Sequence, residues 1–200
     1  MCKVVVCLML IVTARLCTAS YNLTSYKDAE VDWNRLLDGE VMVEGVETKE
    51  GLRGVRAMFT VAASRKLIWE VLTDYENYPE IFEGLDSIKV LEQDDNGAIV
   101  EFWNHVFKEY HFVLHRLYEA PGSLLKWRKI SGDMKRIEGS WEIRDTPQAG
   151  VRLLIYESYV EIGGLFGGLV TWFVWNAAKG EARKMGRRLR DWIEKSVSKD

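Results

Sequence analysis

The C-terminal part of the chain shows a helical pattern of apolar positions. Between residues 168 and 196, apolar side chains recur every three or four residues, which places them on one face of a helix. The stripe consists of Val174, Ala178, Ala182, Met185, Leu189 and Trp192. The other faces are basic, with Lys179, Arg183, Lys184, Arg187, Arg188 and Arg190. We therefore predict one long amphipathic helix over roughly 168–196.

A second helical pattern follows Ser64, a residue type that favours the N-cap position. Its apolar face holds Ile68, Val71, Leu72 and Tyr75, at the spacing of successive turns of a helix. The pattern predicts a helix that ends near the Tyr-Pro pair at residues 78–79, because proline interrupts a helix but can open a new one. A second short helix is therefore expected there, before Gly84.

The sequence before this helix, residues 28–62, predicts one short helix and two strands. The segment 28–37 reads as a helix, with Gly39 just past its end. Residues 40–49 and 54–62 read as two strands, the second rich in residues that favour β-structure.

Between Ser87 and Ile162 the chain divides into short apolar runs separated by turn signals such as Asn96-Gly97 and Pro121-Gly122. Such spacing is typical of an antiparallel meander. The six predicted strands are 87–92, 98–106, 109–119, 123–130, 135–144 and 151–161.

The N-terminus resembles a secretory signal peptide. Lys3 precedes an uninterrupted apolar run over 4–12, and small residues lie at positions −3 and −1 of a cut after Ala19. A buried N-terminal strand is the alternative. We predict a signal peptide at 1–19, an N-terminal extension with a short helix at 20–38, a ligand-binding domain at 39–197, and export to the periplasm or the outside.

Composition narrows the chemistry. The chain has 200 residues, a formal net charge of −3 and a pI near 5.8, a balance that disfavours broad nucleic-acid binding. All three cysteines, Cys2, Cys7 and Cys17, lie in the predicted signal peptide, so the mature protein would have no thiol chemistry. The three histidines, His105, His111 and His115, lack a third ligand, so we predict no metal site and no cofactor.

Three segments carry a resemblance to a known superfamily. They are Ala63 to Phe82, Trp127 to Trp141, and Leu154 to Glu157 before a glycine-containing loop. They resemble the START-like helix-grip (SRPBCC) superfamily, and most of all its coenzyme Q-binding and polyketide cyclase/dehydrase branch. The resemblance implies an α+β fold, in which a curved antiparallel sheet of six to eight strands wraps around a long C-terminal helix, with two short helices after the first strands.

A hydrophobic cavity is the functional feature that this fold implies. Small residues on the long helix face a sheet rich in aromatic residues, which can either pack tightly or leave an apolar gap. Residue type and the resemblance together suggest that the ligand-binding residues are Phe102, Phe112, Trp127, Trp141, Tyr156, Ala178, Ala182 and Met185.

The uncharged stretch 163–175 contains four glycines and several large apolar residues. We expect Leu165, Phe166 and Trp172 at the mouth of the cavity or in contact with a membrane surface, where Trp and a basic helix are favoured. An ordinary loop and first helical turn packed on the sheet fit the pattern equally well.

The expected function is binding of a hydrophobic ligand such as a lipid or an isoprenoid quinone, and its transport is a further expectation. Two alternatives stay open. A cyclase/dehydratase-type enzyme would need an acid or base in the cavity, for which the candidates are Glu101, Glu157, Tyr156 and Tyr159. A protein-binding module, as in relatives that act by protein contact, is the other.

Overall fold

The computed structural model describes residues 31–106, 108–161 and 167–197, without the side chains of 106, 108 and 167–176. The predicted signal peptide at 1–19 lies outside these residues. So do Leu165, Phe166 and the side chain of Trp172, so their role at a cavity mouth stays a prediction. Within the described residues, no helix is long and apolar enough to cross a membrane.

Eight strands form one antiparallel sheet. They are β1 (Met42–Glu47), β2 (Arg53–Val61), β3 (Leu85–Asp94), β4 (Gly97–Val106), β5 (Lys108–Ala120), β6 (Leu124–Gly132), β7 (Arg136–Asp145) and β8 (Arg152–Glu161). Their order across the sheet is β1-β2-β8-β7-β6-β5-β4-β3. Each strand from β3 to β7 pairs with the next one in the chain, which confirms the predicted meander. The β1–β2 hairpin joins it through β8, where Ala57 pairs with Tyr156.

The described residues also form four α-helices: α1 (Trp33–Leu37), α2 (Arg65–Thr73), α3 (Tyr78–Ile81) and α4 (Gly167–Val197). The described part of the predicted helix 28–37 begins only at Trp33, because the Asp32 side chain accepts a hydrogen bond from Arg35 N at 3.3 Å and caps the helix there. The α+β helix-grip architecture predicted from the sequence is confirmed.

The cap and the break around α2 are those that the sequence predicts. Ser64 Oγ accepts a hydrogen bond from Leu67 N at 3.2 Å. The helix buries Ile68 and Leu72 in the core, and a 3₁₀ turn over Tyr75–Asn77 leads into α3, which has proline in its first turn. The turn and α3 place Tyr75 and Tyr78 in the buried core.

The basic residues of α4 do not all form a solvated face. Arg190 was expected among them, but its Nε donates to the Thr60 carbonyl oxygen at 2.8 Å and its Nη1 donates to that of Gly39 at 2.7 Å. Arg190 therefore ties the helix to the C-terminal end of β2 and to the turn before β1. Beneath it, the buried residues Leu189 and Ile193 belong to the same core cluster as Phe59.

Candidate functional site

A cavity of about 670 Å³ lies between α4 and the concave face of the sheet. Its wall draws on α3, α4 and most of the strands, and it is mainly aromatic and aliphatic. Because side chains alternate across a strand, one set of positions in each strand faces this space. In β5 that set is Tyr110, Phe112, Leu114 and Arg116.

The cavity exists because α4 packs tightly at one end only. At Gly186 the helix lies so close to the sheet that an added Cβ would be 2.9 Å from Val41 Cγ1 and 3.0 Å from the Phe59 ring. One to three turns earlier, Ala177, Ala178 and Ala182 face the wide aromatic part of the sheet. Small side chains there do not fill the space, so the interior opens into a cavity.

All eight residues predicted to bind the ligand line this cavity: Phe102, Phe112, Trp127, Trp141, Tyr156, Ala178, Ala182 and Met185. Their contact with a ligand stays a prediction. Sequence reasoning missed other wall residues, among them Leu114, Ile137 and Val160. Alternation along the strand could have identified them, since each lies an even number of positions from a predicted wall residue.

The aromatic wall is packed in pairs. Trp127 stacks on Tyr156 with ring centroids 5.7 Å apart, and Trp141 lies 4.7 Å from the same ring. On the other side, Phe102 and Phe112 stack at 5.4 Å across the β4–β5 pair. These contacts restrain the rings, so the wall presents flat apolar surfaces to whatever occupies the cavity.

One wall residue is charged and buried. Arg116 is only 4% exposed, and its guanidinium carbon lies 5.0 Å, 5.5 Å and 5.2 Å from the ring centroids of Tyr75, Tyr78 and Trp127. Its Nη2 donates to the Tyr78 hydroxyl at 3.2 Å. Its Nε has no hydrogen-bond partner in the described part of the chain.

Arg116 was missing from the predicted site because arginine is normally a surface residue. A signal was nevertheless present in the sequence. Phe112 was assigned to the cavity, and residues two and four positions farther along the same strand share its face. Alternation along the strand therefore predicts that the Arg116 side chain faces the cavity.

Three tyrosines surround Arg116 with hydroxyl groups. Tyr78 donates to the Leu72 carbonyl oxygen at 2.6 Å, and the hydroxyls of Tyr75 and Tyr118 are 3.0 Å apart. Burial raises the pKa of Tyr78, Tyr118 and Tyr156 above the ordinary phenol value. These phenols are therefore neutral near pH 7 and act as hydrogen-bonding groups rather than as bases.

Of the four candidates for acid–base chemistry, only Tyr156 faces the cavity. Glu157 and Tyr159 lie on the opposite side of β8, where Glu157 accepts from Arg56 Nε at 2.6 Å and from the Tyr159 hydroxyl at 3.1 Å. Glu101 also points away from the cavity, and its Oε1 lies 2.7 Å from His111 Nε2. Strand parity, which the sequence left unassigned, decides their orientation.

The histidines of the β4–β5 pair do not meet. His111 is opposite Trp103 and His105 is opposite Glu109. Among the described residues, no group of three or more His, Cys, Asp or Glu side chains could hold a metal ion.

The mouth of the cavity is rimmed by charged residues. Arg188 of α4 and Glu83, which follows α3, form an ion pair at 2.6 Å. Lys184 and Glu181 pair along the helix at 2.8 Å, and all four residues border the cavity. The site therefore combines an apolar chamber, a buried guanidinium and a charged rim.

Comparison with protein families finds one match over most of this region. Residues 61–190 match the family described as polyketide cyclase/dehydrase and lipid transport. A proposed polyketide cyclase of Streptomyces cyaneus is 26% identical over 98 residues, which are 47% of this chain and 64% of that protein.

Solved structures share the fold at low identity. A STAR-related lipid transfer protein from Xanthomonas axonopodis superposes with a TM-score of 0.59 and 17% identity, over 84% of this chain and 96% of that one. An aromatase/cyclase from Streptomyces sp. R1128 gives a TM-score of 0.51 and 24% identity, over 74% and 88% of the two chains. At these identities the likeness establishes the architecture alone.

Proposed function

The chain belongs to the polyketide cyclase/dehydrase and lipid transport family, and from that membership we propose that its cavity binds a hydrophobic small molecule or lipid and carries it unchanged. The observation that carries the proposal is the apolar chamber of about 670 Å³ under α4. That volume is typical of pockets that bury most of a ligand of drug size, in the range of roughly 300–1,000 Å³.

The energetics favour such a ligand. Each Å² of apolar ligand surface removed from water contributes ~25 cal/mol, and the stacked rings around Tyr156 are already ordered by their own contacts. A preorganised wall loses little conformational freedom on binding. A lipid chain, an isoprenoid quinone and an aromatic polyketide all offer the flat or flexible apolar surface that this wall accommodates.

Two further proposals concern where the protein works. We propose that it is exported after cleavage behind Ala19, and that Leu165, Phe166 and Trp172 contact a membrane from which the ligand is taken. The intact mass of protein recovered from its native cell tests the first. Sedimentation with vesicles, for wild type and for a Trp172→Ala variant, tests the second. A full-length mass, or vesicle binding unchanged by Trp172→Ala, would contradict them.

Ligand binding itself is tested on the purified protein. We expect organic extraction to release a hydrophobic species and native mass spectrometry to show its mass on the protein. The neutral probe N-phenyl-1-naphthylamine should bind and be displaced by that extract. A protein that carries no such species and binds no displaceable probe would refute the proposal.

A matched pair of variants locates the binding. Ala178→Phe places a ring in the cavity, so probe binding should weaken at least tenfold. Gly180→Phe adds the same ring to the same helix at a position where an added Cβ meets nothing within 4 Å, so probe binding should be retained. Equal effects of the two variants would show that the probe binds elsewhere.

The second candidate is a cyclase/dehydrase activity, which the family description includes. The observation in its favour is Arg116, because a buried guanidinium beside the ligand would stabilise an enolate oxygen as it forms. Incubation with a linear polyketide thioester, followed by mass spectrometry, tests this function. A product that has lost water, and that the Arg116→Met variant does not form, would establish the cyclase/dehydrase activity. Recovery of unchanged substrate would favour the carrier function instead.

A further inference from the structure

The charge of Arg116 is not balanced by any carboxylate in the described part of the chain. A guanidinium stays protonated at every physiological pH. The other buried arginine among the described residues, Arg56, does have acidic partners: it pairs with Glu157 at 2.6 Å and with Glu44 at 2.9 Å. Arg116 instead has aromatic rings, one phenol oxygen and an unsatisfied Nε.

Such an arrangement is incomplete on physical grounds. Removing a charge from water is strongly unfavourable unless the charge is paired and hydrogen-bonded. The three rings around Arg116 recover part of that cost through cation–π attraction, and the Tyr78 oxygen supplies one acceptor. An anionic oxygen in the adjacent cavity would supply the missing charge and further acceptors.

The other basic residues of the wall have acidic partners. Lys184 and Arg188 pair with Glu181 and Glu83 at 2.8 Å and 2.6 Å, and Arg53 lies 4.0 Å from Glu47. Among the described wall residues, Arg116 is therefore the cation without a carboxylate, and an anion that enters the cavity would be held there.

We propose that the ligand is an anionic amphiphile, whose carboxylate or other oxyanion is held by Arg116 while its apolar body lies along the aromatic wall toward the mouth. This inference rests on the proposed function and adds the charge and orientation of the ligand to it. Arg116 is well suited to that role, because its planar donor groups match the oxygens of a carboxylate or phosphate.

Ligands that differ only in the head group test the proposal. Palmitate, hexadecyl phosphate and hexadecanol are each used at pH 8 to displace N-phenyl-1-naphthylamine from the full-length protein. We expect the two anions to bind about tenfold or more tightly than the alcohol, since a charge-assisted hydrogen bond contributes ~1.5–3 kcal/mol. The better of the two anions identifies the head group as carboxylate or phosphate.

Two variants separate Arg116 from the rim. Arg116→Met retains the length and apolar character of the side chain without its charge, and we expect the preference for anions to disappear while hexadecanol still binds. Arg188→Met removes a rim charge, and the preference should persist. Retention of alcohol binding also shows that each variant is folded.

The outcomes distinguish this inference from the function on which it rests. Equal binding of hexadecanol and palmitate by the wild-type protein would overturn the anionic ligand and leave a carrier of neutral lipids. A preference lost in Arg188→Met but kept in Arg116→Met would also overturn it, because the rim would then select the charge. Failure of every ligand to displace the probe would overturn both proposals.

Discussion

Arg116 of β5 donates a hydrogen bond to the phenol oxygen of Tyr78, the first residue of α3, at 3.2 Å. The phenol proton is directed elsewhere, to the Leu72 carbonyl oxygen at 2.6 Å. Tyr78 therefore acts as an acceptor toward Arg116 and as a donor toward α2. One side chain thus connects the end of α2 and the start of α3 to the charged part of the cavity wall.

Replacing that phenol should weaken the fold. In Tyr78→Phe, the Leu72 carbonyl oxygen loses a donor and Arg116 loses its only side-chain acceptor among the described residues. We expect the free energy of unfolding to fall by about 1–3 kcal/mol, measured by urea denaturation. Tyr118→Phe is the control: Tyr118 is half-buried and bonds to Tyr75, so a smaller loss is expected. Equal losses would contradict this account.

Gly139 is required by the close approach of its neighbours. A Cβ there would clash with the Glu157 carbonyl oxygen and with the Trp127 ring, so Gly139→Ala must displace either the β8 backbone or a ring of the cavity wall. We expect a loss of stability of at least about 2 kcal/mol and weaker probe binding.

Gly180 provides the matched control for that substitution. An added Cβ meets nothing within 4 Å, and alanine favours the helix over glycine by ~1 kcal/mol. Gly180→Ala should therefore raise the thermal midpoint, while Gly139→Ala lowers it. A tolerated Gly139→Ala would show that the sheet is less tightly packed there.

Glu157 is predicted to stabilise the fold without affecting the ligand. Its carboxylate pairs with the buried Arg56 on the side of the sheet that faces away from the cavity. Glu157→Gln should lower the free energy of unfolding by about 3 kcal/mol and leave probe affinity unchanged. The exposed pair of Lys66 and Glu70 at 3.7 Å is the control, since Glu70→Gln should cost ~0.5 kcal/mol or less. Loss of probe binding in Glu157→Gln would contradict the outward orientation.

His115 should make stability depend on pH. Partial burial, assisted by the neighbouring Arg128, lowers the pKa of His115 in the folded protein, and Asp94 opposes that shift only weakly. The unfolded chain therefore binds a proton at this histidine more readily than the folded protein does. As a result, the free energy of unfolding is highest above the unfolded pKa near ~6.5 and decreases as the pH falls below it.

Urea denaturation between pH 7.5 and pH 5 measures that effect. We expect His115→Gln to lose less stability than wild type over this interval. An unchanged slope in His115→Gln would mean that other groups produce the pH dependence.

Local patterns predicted most elements of the fold. The Ser64 cap, the Tyr-Pro break and the turn signals between the strands are local interactions, so the elements that they delimit were recognisable without knowledge of the partner segments. Strand ends were less accurate: the predicted run 87–92 became Leu85–Asp94. Pairing with β4 extends it, and pairing is a property of two strands rather than of one.

The candidate site was predicted in part for the same reason. Aromatic residues of the sheet and small residues of the long helix indicated a cavity wall by type, and all eight lie on it. Type alone could not orient the carboxylates, and in the structure Glu101 and Glu157 face away from the cavity. Residue type also gave no indication of Arg116, because its burial depends on cation–π contacts with three rings from other segments.

The order of elements, the amphipathic α4 and the likeness to the helix-grip superfamily can all be read in the chain, since they depend on neighbours a few residues apart. Three other features depend on residues far apart in the chain. They are the inward face of each strand, the distance between the helix at Gly186 and Phe59, and the space that remains beyond that contact. Such distances arise when a whole sheet closes around a helix, and no local pattern contains them.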